Sequence, residues 1–502
     1  MSTNLPLDTT QLTRRRLVTF ACMMSIFMAA VEATIVATAM PTIVGQLGGF
    51  HLFSWVFAAY LLAAAVSTPV YGRLADLYGR KRMFVSGSLL FLLASAACGF
   101  TWALDGWGMA ALVVFRTLQG LGAGSLQSMA TTIVGDLYPA ADRPRIQGWL
   151  SSVWGVAAIA GPVLGAFIVE HVHWAFVFWI NLPIGLVAIV ILMRSLSEKV
   201  ETRPHQLDVF GSLLLIVGVG ATLMTVVQLQ NLSPIVVTTL LCVGIVALVL
   251  LVVQERRAAE PIVPFRLWRR RIMAECNVGG LAIGALLMCV IAFLPTYVQA
   301  AMGRSVTFAG AAIGIQSLSW SVGAVVAAKF MTISSYKSTG IVGALLLIGG
   351  TALLIMLDRD SSFAWLGSAT MLVGLGMGFC NQVFLLSMQG SVGWNERGVA
   401  TASFLFSRTI GQSIGAAIGG AILNFGVARQ GPGAGETLER LLDPERRAGL
   451  DAETIAHLGN AIGSALHEVY IIAGILAVLT LLTSLILPAR TGKIPPDGTK
   501  PA

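Results

Sequence analysis

The chain has 502 residues, 56% of them hydrophobic and 11% charged, with a mean hydropathy of +0.81. No soluble domain of this size hides so much apolar surface, so the composition excludes a water-soluble globular protein and leaves a polytopic all-α membrane protein. The formal net charge of +8 does not point to nucleic acid, because the cations sit in short turns between apolar runs rather than on one basic face.

A membrane-spanning helix needs roughly 20 apolar residues. Fourteen runs qualify: 17–40, 53–72, 83–103, 108–135, 146–169, 174–195, 208–229, 234–254, 273–300, 306–330, 339–357, 363–388, 399–425 and 465–488. The first run is too long for a signal-peptide core and lacks a small-residue cleavage site, so no cleavable signal is expected. An even number of spans places both termini on one side. Lysine and arginine concentrate in the turns of that side, which marks it as cytoplasmic. On the other side stand only Arg304, Arg359, Arg429, Arg440, Arg446 and Arg447, while Arg116 and Arg408 fall inside helices.

The expected organisation is a cytoplasmic segment (1–16), a six-helix half (17–195), an inserted helix pair (196–254), a cytoplasmic connector (255–272), a second six-helix half (273–488) and a cytoplasmic tail (489–502). The inserted pair carries no charge between Gly211 and Val253, so it reads as a lipid-facing spacer. The connector mixes arginines with Phe265, Leu267 and Trp268, a composition suited to an anionic leaflet or to a plain positive-inside anchor. An external loop, 426–464, contains an amphipathic stretch from Glu436 to Leu442. It reads as a tolerated surface insertion in preference to a cap over the external mouth.

Charge inside the apolar runs is costly, at least about 2.5–3.5 kcal/mol per group at the bilayer centre, so each instance is a functional candidate. Glu32, Arg116 and Arg408 are the serious ones. Glu32 and Arg116 each lie about eight residues from the outer end of their helix, roughly 12 Å deep. A shared depth permits pairing. Burial favours a neutral acid and a nearby guanidinium favours the carboxylate, so alternate hydration and pairing at Glu32 would move a proton. A purely structural ion pair is the plain alternative.

Several stretches carry more than packing. Between the second and third helices the chain reads Gly72, Arg73, Leu74, Ala75, Asp76, Leu77, Tyr78, Gly79, Arg80, Lys81, Arg82, with glycines for a tight turn and a carboxylate placed to cap or pair near a helix end. The fourth helix runs Arg116, Thr117, Leu118, Gln119, Gly120, Leu121, Gly122, Ala123, Gly124, a glycine spacing that permits close helix contact. The fifth holds Gly161, Pro162 and Gly165, a bend flanked by small residues. The sixth opens on Trp174, Ala175, Phe176, Val177, Phe178, Trp179, Ile180, Asn181, Leu182, Pro183. Gln119, Gln127, Trp154, Gln316, Trp320, Asn381, Gln382, Arg408 and Gln412 are the polar and aromatic candidates for a substrate cavity, each with ordinary interhelical bonding as its alternative role.

Taken in order, these stretches resemble the major facilitator superfamily of secondary transporters, in its fourteen-helix drug–proton antiporter branch. The resemblance extends to Glu32 through Pro41, to Asp208 and Gly211, and to Gly398, Ala400, Thr401, Ala402, Arg408, Gly411 and Gly415. The branch usually has aspartate at position 32, arginine at 175, and glycine at 157 and 166, where this chain has Glu32, Ala175, Ala157 and Ala166. The resemblance implies two six-helix halves, a proton role for Glu32 and Arg116, conformational switching by the Gly72–Arg82 loop, and an antiporter signature at Gly161, Pro162 and Gly165. It also implies a bacterial cytoplasmic membrane.

No phosphate-binding loop is present, because the fourth-helix glycines lack a following lysine and hydroxyl residue. No catalytic triad or metal cluster appears, so an enzyme is not expected, and no cofactor is expected beyond the proton gradient as driving force. The six cysteines fall singly in apolar runs and read as small buried packing residues. The expected function is proton-coupled export of hydrophobic, often cationic, small molecules. Protons, lipophilic or cationic solutes and membrane lipids are the partners, and no accessory envelope partner can be named. With carboxylates so scarce, Glu32 would serve proton and cation in turn, which argues against a strict preference for dications. Export of one lipid or metabolite, and a non-transporting sensor or scaffold, are the alternatives.

Overall fold

The computed structural model describes residues 9–138, 143–196, 198, 208–227, 232–258, 268–392, 397–430, 434–442, 449 and 451–487, and contains helices without strands among them. The elements are α1 (Thr9–Leu47), α2 (Trp55–Tyr78), α3 (Arg80–Gly99), α4 (Gly108–Leu137), α5 (Arg143–His171), α6 (Asn181–Ser195), α7 (Val209–Val227), α8 (Pro234–Arg257), α9 (Arg271–Ile291), α10 (Val306–Ile333), α11 (Tyr336–Ile355), α12 (Phe363–Gly390), α13 (Arg397–Ala428), α14 (Ala434–Leu442) and α15 (Ala452–Ile486). A helical turn at Phe176–Trp179 precedes α6, and α9 continues into a π-helical turn at Tyr297–Ala301. Among the described residues, thirteen helices are long and apolar enough to cross a membrane. α5 adds a further apolar stretch at Gly155–His171.

Two boundaries differ from expectation. The last helix begins at Ala452, well before the apolar run at 465, because Asp451 caps it by accepting from the Thr454 amide at 2.9 Å. The external loop also contains α14, whose Leu438, Leu441 and Leu442 are buried in the main core. Glu439 accepts a hydrogen bond from the Phe50 amide at 2.9 Å. The stretch is therefore seated over the ends of α1 and α2, and the expectation of a loose surface insertion is corrected. The leucines, spaced to share one helix face, find an apolar floor there.

Each half is a bundle drawn together by small residues. A β-carbon on Gly120 would strike the Tyr60 carbonyl oxygen of α2, and one on Gly124 would strike the Ser67 hydroxyl of the same helix. On α13, Gly411 and Gly415 bring its backbone against Leu281 and Ala285 of α9. Gly79, at φ 93°, turns the chain from α2 into α3, a conformation open to glycine and strained for other residues.

The two halves meet unevenly. Call the face that carries the start of α1 and the end of α15 the terminal face, and the opposite one distal. Near the distal face Phe53, just before α2, packs on Phe293 with centroids 5.5 Å apart. There the Ser413 hydroxyl donates to the Ala58 carbonyl at 2.9 Å, the Asn424 amide donates to the His51 carbonyl at 3.1 Å, and Glu170 of α5 accepts from the Thr307 amide and hydroxyl at 2.8 and 2.5 Å. The core behind the terminal face, with Val18, Ile26, Phe84, Ile133, Ile146 and Leu192, consists of residues from α1–α6 alone and their flanks. The halves are thus sealed distally and, among the described residues, share no such core near the terminal face.

The inserted pair α7 and α8 packs on itself and rests against α2 and α13, with Leu214, Leu215, Ala247 and Leu251 touching the cluster of Leu62, Val66 and Ile410. Asp208 ties its two helices by accepting from the Gly211 amide at 2.8 Å and the Gln254 side chain at 2.9 Å. Most of α8 is exposed apolar surface, as a lipid-facing position requires. Five of the six cysteines are buried, and Cys242 of α8 is exposed, a departure from the expected packing role.

Candidate functional site

A buried polar cluster inside the membrane-spanning region joins α1, α2, α3, α4 and α6. Glu32 and Arg116 are 0% and 1% exposed and form an ion pair through Glu32 Oε1 and Arg116 Nη1. The second carboxylate oxygen accepts from Asn181 Nδ2 at 2.7 Å. Arg116 also donates from Nε to the Val56 carbonyl at 3.2 Å and from Nη1 to Gln119 Oε1 at 2.7 Å. Its guanidinium carbon lies 4.0 Å from the centre of the Tyr60 ring, within cation–π range. Ser95 closes the network, receiving from Gln119 and from Asn181 at 3.1 Å each and donating to the Phe178 carbonyl at 2.9 Å.

The shared depth of Glu32 and Arg116, expected from helix arithmetic, is therefore a contact. Gln119 belongs to this charged cluster rather than to a substrate cavity, because it sits one turn from Arg116 on the same face. The sequence places Asn181 in the stretch that opens the sixth helix without marking it as a partner of Glu32, and it does not mark Ser95 or Tyr60. A weak signal existed for Asn181, an amide opening an otherwise apolar helix. Nothing distinguished Ser95 among the small residues of α3.

Glu32 is committed on both oxygens and closed to solvent. In this arrangement it offers no free carboxylate to a cationic solute, so the expectation that it serves both proton and cation finds no support in the geometry.

The Gly72–Arg82 stretch lies at the terminal face, across the end of α2 and the start of α3. Glu198, placed after α6, accepts from the Arg80 amide at 2.8 Å and the Lys81 amide at 2.9 Å, capping α3 from another element. Lys81 Nζ donates to the carbonyls of Met193 and Leu196 at 2.7 and 2.6 Å. These bonds satisfy the open end of α6, where positive charge is favoured. Arg80 pairs with Asp136 at the end of α4. Arg82 is exposed. A β-carbon on Gly72 would face open space. The side chains of Arg73 and Asp76 lie outside the described residues.

The Gly161, Pro162 and Gly165 motif of α5 sits where the halves join. A β-carbon on Gly161 would strike the Thr34 hydroxyl of α1, and one on Gly165 would lie 3.1 Å from Ile35. The Pro162 carbonyl faces Gly310 of α10, 2.9 Å from where its β-carbon would stand. The motif is a close-packed seam between α1, α5 and α10.

Of the remaining cavity candidates, Arg408, Asn381, Trp320 and Gln316 form a second group in the C-terminal half. Arg408 Nη1 donates to Asn381 Oδ1 at 3.1 Å, and its guanidinium carbon is 6.0 Å from the Trp320 ring centre. Gln316, 0% exposed, lies one turn before Trp320 on α10. Gln127, Gln382 and Gln412 are half-buried. The side chain of Trp154 lies outside the described residues. Among the described residues no cluster of three or more His, Cys, Asp or Glu side chains could hold a metal.

A family model described as Major Facilitator Superfamily matches residues 22–416. The chain belongs to that superfamily. Among its relatives, the multidrug transporter protein MdtP of Bacillus subtilis (strain 168) is 33% identical over 420 residues, covering 82% of this chain and 76% of its own length. Multidrug resistance protein 3 of the same organism is 30% identical over 507 residues, covering 97% of this chain and 98% of its own length. Solved structures of the same fold include a bacterial homologue of the human lysosomal transporter Spinster in an inward-facing, unoccupied conformation, with a TM-score of 0.66, 14% identity, and coverage of 94% of this chain and 98% of that one. The D-xylose–proton symporter aligns with a TM-score of 0.63, 14% identity, and coverage of 95% and 99%. At such identities the likeness concerns the fold alone. This superfamily member is a multi-pass membrane transporter.

Proposed function

We propose that this transporter is a proton-coupled antiporter that exports hydrophobic small molecules by alternating access between its two halves. The observation that carries the reading is the buried Glu32–Arg116 pair with Asn181 on the second carboxylate oxygen. Two charges this deep are costly to hold and useful when their pairing can change. Parting Arg116 from Glu32 favours the neutral acid, and re-pairing favours the carboxylate and releases the proton. The helix that carries Glu32 leads to the seam: α1 packs on α5 at Thr34 and Gly161, and α5 meets α10 of the other half where the Pro162 carbonyl faces Gly310. Rocking of the halves about that seam would therefore bear directly on the pair.

The sealed distal face and the separate core at the terminal face suit a state open toward the cytoplasm. There a charged, paired Glu32 belongs to the form that has given up its proton and awaits solute. The Gly72–Arg82 loop would engage the other half when the terminal face closes. The names of the relatives, multidrug transporter and multidrug resistance protein of a bacterium, support a broad solute range in a bacterial cell membrane, and the lysine and arginine bias of the turns supports both termini inside.

The test is flux of the lipophilic dye N-phenyl-1-naphthylamine in inside-out vesicles under an imposed pH gradient. Wild-type protein moves the dye with the gradient and Glu32→Gln does not. Gradient-driven flux of equal rate in both proteins would refute proton coupling at Glu32.

A further inference from the structure

The interior charges of the two halves are unequal. In the N-terminal half Glu32 and Arg116 neutralise each other. In the C-terminal half Arg408 of α13 has no carboxylate partner among the described residues. Its one hydrogen bond to a side chain is the 3.1 Å bond to Asn381, and its Nε is enclosed without a partner. A guanidinium offers five donors in a fixed fork, and half-buried Arg408 has this one side-chain partner among the described residues. Beside it stands Trp320, 6.0 Å from ring centre to guanidinium carbon. One helical turn away on α10, Gln316 is fully buried with neither its amide oxygen nor its amide nitrogen bonded. Residues four apart share a helix face, so Trp320 and Gln316 point to the same side of α10.

Buried donors without acceptors are disfavoured unless something supplies the acceptor. A lipophilic cation would meet uncompensated positive charge here. An oxyanion would meet a bidentate fork, an amide and an aromatic wall. We propose that Arg408, Gln316, Asn381 and Trp320 form a head-group subsite that takes amphipathic anions, molecules with an apolar body and a carboxylate, phosphate or sulfonate. The inference rests on the export reading and narrows it, because it replaces the expected preference for cations.

Binding is measured without any gradient, so its failure is separable from failure of proton coupling. The full chain in a non-ionic detergent at pH 7 is titrated with 11-(dansylamino)undecanoic acid, its methyl ester and the matching trimethylammonium compound, read by fluorescence anisotropy. Wild type binds the acid about tenfold more tightly than the ester, the size of one charge-assisted contact. Arg408→Gln brings the acid down to the ester's affinity while the ester's own affinity stays, which reports an intact fold. Arg408→Lys keeps part of the preference, since it retains charge and loses the fork. Glu32→Gln keeps the whole preference. Competition with dioleoyl phosphatidylglycerol against dioleoyl phosphatidylcholine separates the two sources of such a group. Displacement by phosphatidylglycerol alone assigns the subsite to an anionic lipid head group, displacement by neither assigns it to free amphipathic acids, and equal displacement by both would overturn recognition of negative charge. Equal wild-type affinity for acid and ester, tighter binding of the trimethylammonium compound, or an acid preference that survives in Arg408→Gln would overturn the proposal. Lost gradient-driven flux with the acid preference intact would instead count against the antiport reading alone.

Discussion

Glu32 of α1 and Asn181 of α6 are joined by a 2.7 Å hydrogen bond to the carboxylate oxygen that Arg116 does not use. This bond ties α6 into a charge pair that would otherwise concern α1 and α4 alone. It also sets the cost of disturbing the cluster. Removing Arg116 leaves a buried carboxylate facing an amide, whereas neutralising both partners removes the unpaired charge. Arg116→Ala is expected to lower stability by about 3–5 kcal/mol. The double variant Glu32→Gln with Arg116→Gln is expected to lose less than that single change. Thermal unfolding of the detergent-solubilised proteins checks the order. A double variant less stable than Arg116→Ala would contradict it.

Glycine placement makes a second, purely steric prediction. A β-carbon on Gly124 would strike Ser67 and come within 2.7 Å of the Thr68 amide nitrogen, whereas one on Gly72 would meet nothing within 4 Å. Gly124→Val is expected to cost about 1–3 kcal/mol or prevent assembly of the half, and Gly72→Ala to stay within about 0.5 kcal/mol. The melting temperatures of the two variants decide the matter.

Glu198 caps α3 across elements through the amides of Arg80 and Lys81. Losing a cap of this kind costs about 1 kcal/mol. Glu198→Ala is expected to speed hydrogen exchange several-fold in the first turn of α3 and to leave exchange in α9–α13 unchanged. Uniform acceleration across the chain would show that the contact is not local.

The distal closure depends on Glu170, which holds both the amide and the hydroxyl of Thr307 at the start of α10. Glu170→Ala is expected to loosen the distal seam. In a background with its native cysteines replaced, exposed Cys242 included, a reporter cysteine at buried Ser54 should then react faster with a membrane-impermeant maleimide. An unchanged rate would place the closure elsewhere, in the Phe53–Phe293 contact above all.

Much of this architecture is legible in the sequence, because a lipid environment forces long apolar runs and punishes buried charge. That is why Glu32 and Arg116 stand out in the composition of their helices, and why their depth is open to arithmetic. Partners that are merely polar carry no such penalty signal. Ser95 and Asn181 become recognisable only once α3 and α6 are seen against α1. Gln119 was read as cavity-lining because a polar residue on a helix does not say which neighbour it faces. The loop that contains α14 misled for a related reason. Its leucines make an amphipathic face, but a sequence does not show whether an apolar floor awaits it, and the ends of α1 and α2 supply that floor at Phe50.

The central claim is that Glu32 couples solute movement to the proton gradient. The direct measurement compares two modes in proteoliposomes bearing wild type or Glu32→Gln: exchange of labelled for unlabelled solute without a gradient, and uphill movement driven by an imposed pH difference. The account predicts that Glu32→Gln retains exchange and loses uphill movement. Uphill movement retained alongside exchange would contradict it and place the proton site outside the Glu32–Arg116 pair.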